Sequence, residues 1–272
     1  MTVCIGAICD GGQTIVVAAD RMMTYGAPMN LQVEMAVRKI VPITEKAAIL
    51  FSGSVPDGES LIARTKAKIL ATGHSIQEIV TSAMNSYQEM KRQRVEDLIL
   101  KPLLGVDFPG FQGMISQSSS SQILQQALGM VSQHNMQLDI LIAGFDDGEA
   151  HLTALANPGV ALPLDTVGSA AIGSGGLHAN VRLSLGKQAR IVSFSDTVFN
   201  VYGAKVAAEV APGVGKMTDM AVIRHGGIKF FDETAFRTLE AISQDRPALR
   251  ESDVTQLEQL CKGYADEPTQ SA

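Results

Sequence analysis

Cysteine is scarce. The 272 residues hold three, Cys4, Cys9 and Cys261. They are odd in number and show neither a CxxC pair nor a Cys/His ligand spacing, which argues against a disulfide framework and a structural zinc. Free thiols suit a reducing compartment, so a cytoplasmic location is expected. Charge is scarce as well, at 18% of residues against about 25% in ordinary domains. A charge-poor surface is what burial between subunits produces. The net charge of −6 comes without a basic stripe, which argues against nucleic-acid binding. No stretch of about 18 apolar residues runs without charge or repeated glycine, so no membrane span is expected. The start of the chain lacks a basic region and a long apolar run, because TVCIGAI meets Asp10 and two glycines at once; a secretory signal is not expected. His74, His134, His151, His178 and His225 are scattered without an HxxxH pair, and neither metal nor cofactor is expected.

What is present is enough apolar material, 46% of the chain, for a substantial core in one large domain or two small ones. Residues 2–9 and 14–19 read as strands around the hairpin signal Asp10-Gly11-Gly12. A polar loop is expected after Asp20, then a strand pair over 38–43 and 47–51. Ser52-Gly53-Ser54 turns the chain into a helix over about 56–71. A second helix opens at Ser75 with Glu78 three residues on, a capping box. Its stripe of Ile76, Ile79, Val80, Ala83, Tyr87 and Met90 has helical spacing and reads as core. Residues 101–136, rich in Gly, Pro and Ser, read as a surface insertion: a loop with one short helix near 121–133. Strands resume at 138–145, 151–155 and near 160–172. Gly173-Ser174-Gly175-Gly176 leads into a helix, another follows over about 195–210, and residues 220–224 and 228–231 form a last hairpin. The chain divides into a domain over 1–232 and a helical extension over 233–272, frayed beyond 265. Hairpins and paired helices, rather than alternating βαβ units, indicate antiparallel sheets covered by helix layers: an α+β fold.

The candidate chemistry begins at Met1-Thr2. A small second residue permits removal of Met1, which would leave Thr2 as the N-terminus on a strand, a rigid support. A threonine hydroxyl needs a base, and a free α-amino group can serve near neutral pH. A nearby ammonium would favour the alkoxide, and a carboxylate would hold the ammonium. Asp20 ends the second strand and Lys39 opens the third. Gly173-Ser174-Gly175-Gly176 lacks the Lys-Ser/Thr of a phosphate loop, and Asp146-Asp147-Gly148 is most simply a hairpin turn.

Several pieces in order resemble β-type proteasome subunits and their bacterial relatives of the HslV and ancestral-β kind. They are Thr2-Val3-Cys4-Ile5-Gly6, Ala18-Ala19-Asp20-Arg21 with Thr24 and Gly26, Arg38-Lys39-Ile40, and Ser52-Gly53-Ser54 with Asp57. Leu141-Ile142-Ala143-Gly144-Phe145-Asp146 and Ala171-Ile172-Gly173-Ser174-Gly175 follow. The resemblance covers about residues 2–230 and implies an N-terminal-nucleophile hydrolase with a four-layer αββα sandwich. It implies Thr2 as nucleophile, Lys39 and Asp20 as its ion pair, Gly53 as oxyanion donor and Ser174 beside the threonine amine. It implies Thr24 as the backbone partner of an extended substrate, with Met23, Val37, Val41, Phe51 and Val55 lining an apolar specificity pocket. Where the family carries an aspartate and then a serine that support the amine, this chain has Ala211 and Val214; Asp219 comes later.

The reading that follows is a threonine endopeptidase acting on peptides or unfolded polypeptide inside a homo-oligomeric ring or helical assembly. Any unfolding ATPase is expected to be a separate protein. The alternatives are an inactive structural subunit, and an amidase or transpeptidase acting on small or tethered substrates.

Overall fold

The computed structural model describes residues 2–25, 31–34, 38–72, 74–117, 121–243 and 251–264. Its frame is two five-stranded antiparallel sheets. In the first, β1 (Cys4–Cys9) pairs with β2 (Thr14–Asp20) and with β10 (Ser169–Ile172), while β11 (Thr218–Arg224) joins β2 to β12 (Gly227–Phe230). In the second, the order is β5 (Ile40–Pro42), β6 (Ala47–Gly53), β7 (Leu138–Asp146), β8 (Glu149–Ala156) and β9 (Val160–Pro163).

Alternation along each strand assigns its two faces. Cys4, Ile8, Ile15, Val17 and Ala19 of the first sheet meet Ala48, Leu50, Leu141 and Ala143 of the second. Val3, Ile5, Ala7, Val16 and Ala18 point the other way, under α6 (Gly176–Leu185) and α7 (Phe194–Ala208). Ala47, Ile49, Phe51, Leu138, Ile140 and Ile142 lie under α1 (Val55–Thr72) and α2 (Ile76–Val95). This is a four-layer αββα sandwich, the architecture that the resemblance implies. The capping box is present: Ser75 Oγ accepts the Glu78 amide at 3.2 Å, and Glu78 Oε2 accepts the Ser75 amide at 3.0 Å. The C-terminal helices α8 (Glu233–Ser243) and α9 (Glu251–Lys262) add Leu239, Ile242, Leu257 and Cys261 to the core beneath α7.

Three expectations need correction. The polar loop after Asp20 contains a ribbon of β3 (Met22–Tyr25) and β4 (Leu31–Glu34), with Met22 opposite Glu34 and Thr24 opposite Gln32. A ribbon that buries neither face fully imposes no apolar alternation, so the pattern does not betray it. The stretch near 160–172 is two strands, not one, and β9 and β10 edge different sheets. The loop expected over 101–120 contains α3 (Lys101–Leu104) and α4 (Phe108–Gln117), before α5 (Gln122–Gln133). Pro109 sits in a first turn, where a missing N–H costs nothing. Val95, Ile99, Leu100, Phe111, Leu124 and Ala127 give these helices a small core of their own. The expected fraying after 265 falls outside the described residues. No helix among the described residues is long and apolar enough to cross a membrane.

Candidate active site

The strand directions bring one end of each sheet together. The starts of β1, β5, β7 and β11 and the ends of β2 and β6 lie there; the β1–β2, β5–β6, β7–β8 and β11–β12 turns lie at the other. A cavity of about 800 Å³, lined by Thr44, Glu45, His74, Phe145, Asp147 and His225 among others, is at the turn end. The convergence of functional groups is at the opposite end, where Thr2, Asp20 and Lys39 are all buried.

Thr2 precedes β1 and Asp20 closes β2, so the β1–β2 pairing sets them side by side. Lys39 arrives from the other sheet, one residue ahead of β5. Thr2 Oγ1 donates to Asp20 Oδ1 and accepts from Lys39 Nζ. An ammonium has three N–H groups to place. The other two partners of Lys39 are Asp20 Oδ1 at 3.0 Å and the Met22 carbonyl at 2.6 Å. Asp20 is held further by the Val3 amide on Oδ1 at 2.9 Å, and on Oδ2 by the Met22 and Gly215 amides at 2.9 and 3.0 Å. Its oxygens are committed as acceptors, so it is better fitted to orient a cation than to carry away a proton.

Ser174, in the turn after β10, clamps the main chain of Thr2. Its Oγ accepts from Thr2 N at 3.1 Å and donates to the Thr2 carbonyl at 3.3 Å. The Gly175 amide donates to the same carbonyl at 3.2 Å. Gly173 approaches so closely that a Cβ there would stand 2.4 Å from Thr2 O and 2.5 Å from Ser52 Oγ, and its φ is +88°. Ser52 and Thr2 thus flank one glycine, which places the end of β6, Ser52-Gly53, beside Thr2. Gly53 has φ +116°, and a Cβ would fall 2.0 Å from the Gln137 carbonyl; no other residue fits. Beneath Thr2, the Cys4 thiol donates to the Phe51 carbonyl at 3.2 Å, tying the two sheets. Burial pushes the Cys4 thiol pKa up strongly, against the pull of Lys39. It also raises Asp139, opposite Ser52 in the β6–β7 ladder, against a bond from the Gly173 amide.

Residues 2–107 match the family model described as Proteasome subunit. This segment is similar to proteasome subunits. Thr2, Asp20, Lys39 and Gly53 all fall within the proteasome match, while Ser174, Ala211 and Val214 lie beyond it. No curated protein matches the chain.

The other expected residues distribute unevenly. Thr24 lies in the β3–β4 ribbon, paired through its backbone position with Gln32. Met23, Val41 and Val55 are partly exposed. Phe51 is 1% exposed, and a Cβ on Gly58 would touch its ring at 2.4 Å, so it belongs to the core under α1 rather than to an open pocket wall. Val37 lies outside the described residues. Ala211 and Val214 are buried in the core beside α7, and Val214 packs near Gly175 and Val3. Asp219 does not stand in for the missing aspartate, because it pairs with Arg21.

The sequence reading did not pick out the Gly215 amide, the Met22 carbonyl or Ser52. Two of these are backbone groups and carry no side-chain signal. The only hint was the Gly213-Val214-Gly215 run between α7 and β11, which marks a tight turn without saying what it approaches.

Proposed function

We propose that the chain is an N-terminal threonine peptidase that cleaves peptide bonds within a self-compartmentalising homo-oligomer. The observation that carries this reading is the Thr2 hydroxyl held between Lys39 and Asp20 in a buried site, with Ser174 on the Thr2 nitrogen. Loss of Met1 would turn that nitrogen into a free amine already facing a hydroxyl. Thr2 Oγ1 then attacks the scissile carbonyl and passes its proton to the amine, while Lys39 stabilises the developing alkoxide. The oxyanion takes the Gly53 N–H, a contact typically worth about 2.7–4 kcal/mol. Collapse expels the leaving amine, which takes the proton from the α-ammonium and leaves an ester on Thr2. Water hydrolyses the ester with the amine as base.

Met23, Val41 and Val55 support an apolar preference before the cleaved bond. An extended substrate would pair with the backbone near Thr24 by strand addition. Apolar side chains left on the surface, such as Leu177, Leu185 and Ile191 at 72%, 75% and 86% exposure, suit contacts between copies. Buried free thiols fit a cytoplasmic setting. One observation favours a second reading, an inactive structural subunit: the apolar Ala211 and Val214 where the resemblance implies an aspartate and a serine.

Intact mass before and after an epoxyketone separates the two, since that warhead requires both the amine and the hydroxyl of an N-terminal threonine. The peptidase reading expects loss of Met1 and one adduct on Thr2. Retained Met1, or Met1 removed without an adduct, would overturn it.

A further inference from the structure

Lys205 is a second buried cation near the site, and the chemistry above leaves it unused. It lies in α7 with its side chain 0% exposed. Its neighbours Val201, Ala204 and Ala208 are core, a setting in which an apolar side chain would avoid the cost of burying charge. The ammonium donates to Glu209 Oε1 and to the Lys216 carbonyl, each at 2.5 Å. The N–H of that same peptide unit, on Met217, donates to Glu34 Oε1 at 2.8 Å. One peptide group is thus gripped at its oxygen by a cation and at its hydrogen by a carboxylate. One residue earlier, the Gly215 amide donates to Asp20 Oδ2. Burial pulls the Lys205 pKa down, against the bond to Glu209 and the fields of Glu209, Asp20 and Glu34, so the ammonium lies within electrostatic reach of the site carboxylate. Ala211 and Val214 offer no polar side chain with which this loop could hold itself.

We infer that Lys205 and Glu34 are positioning residues that pin the Lys216–Met217 peptide, set the Gly215 amide against Asp20, and thereby fix the carboxylate that orients Thr2 and Lys39. The inference rests on the threonine-peptidase reading for its kinetic consequence, but not for its structural one. Lys205→Met keeps the chain length and removes the charge and both bonds. It is expected to lower kcat for peptide hydrolysis, and the rate of epoxyketone addition to Thr2, by roughly tenfold to a hundredfold. KM should stay within about twofold and the thermal midpoint should not fall, a pattern that a merely structural role would not give. Hydrogen exchange in a peptide spanning 211–220 should accelerate. Glu34→Gln should lower kcat less, and the double variant should be no slower than Lys205→Met alone, because both residues hold one peptide.

A kcat for Lys205→Met within about twofold of wild type, or a change confined to KM, would overturn the inference. If the wild type forms no Thr2 adduct, the peptidase reading has failed on its own, and unchanged exchange over 211–220 then decides against Lys205 separately. If Lys205→Met does not fold, Glu34→Gln carries the test, and an unaltered kcat and exchange in that variant would overturn the inference.

Discussion

Asp20→Asn is the sharpest perturbation of this site. The substitution keeps the shape of the side chain, removes its charge and replaces one acceptor oxygen by a donor. In one orientation the new NH2 faces Thr2 Oγ1, the Val3 amide and Lys39; in the other it faces the Met22 and Gly215 amides. The second is the lesser evil, and it still forfeits two bonds to a charged acceptor, worth about 1.5–3 kcal/mol each. Lys39, with its side chain 3% exposed, also loses its countercharge, and removing one partner of a buried pair costs about 3–5 kcal/mol. These contributions overlap, so a loss of about 5 kcal/mol is expected, a large share of the roughly 5–15 kcal/mol that stabilises a domain. Guanidinium unfolding measures it, and the Thr2 adduct measured by mass should vanish. A stability loss below about 1.5 kcal/mol, or an adduct formed at the wild-type rate, would refute the reasoning.

Three further outcomes are expected. Ser174→Ala removes the hydroxyl that bridges the nitrogen and carbonyl of Thr2, and the rate of adduct formation should fall about tenfold with little change in unfolding midpoint. Gly53→Ala places a methyl group on the Gln137 carbonyl at a φ only glycine tolerates; it should cost about 2 kcal/mol or more and displace the Gly53 N–H enough to abolish hydrolysis, and wild-type stability and activity in this variant would refute the close approach to Gln137. Burial raises the thiols of Cys4 and Cys9 strongly and that of Cys261 to about 12. The native protein should therefore resist iodoacetamide even at pH 9, and the three thiols should react only in denaturant, as counted by intact mass. The sign for stability follows: these raised groups stabilise the fold fully below the ordinary thiol pKa of about 8.5, and that stabilisation is lost as pH rises above it, because only the unfolded chain ionises.

What could be read in the sequence depended on whether a side chain carried the signal. The paired helices declared themselves through the stripe from Ile76 to Met90 and the Ser75/Glu78 box. Thr2, Asp20 and Lys39 stood out because a processable threonine, a strand-end carboxylate and a strand-start lysine together match one chemistry. Phe51 carries no sequence signal of its facing, because β6 is buried on both faces and its apolar run does not say which side chains face a substrate and which face α1. The β3–β4 ribbon escaped notice because it buries too little to need a pattern. Lys205 lies in a helix whose apolar residues run past it, so its sequence neighbours give no sign of its role. Only the loop folding back from α7 shows that its ammonium is enclosed, and Gly215 reaches Asp20 through a backbone N–H that any residue would have.

The order in which the groups of this site occur along the chain has a consequence during synthesis. The Thr2 hydroxyl leaves the ribosome well before its clamp, Ser174, which lies 172 positions downstream, and Gly215 lies 195 positions after Asp20. Lys39 reaches Thr2 only when the second sheet docks on the first, and β7, at the middle of that second sheet, begins at Leu138. A nascent chain therefore carries an inert threonine until most of the domain has been made and its two sheets have closed on each other. On the peptidase reading, chain growth acts as a timer: the nucleophile would be exposed early and armed late, away from neighbouring unfolded chains that could serve as its substrates.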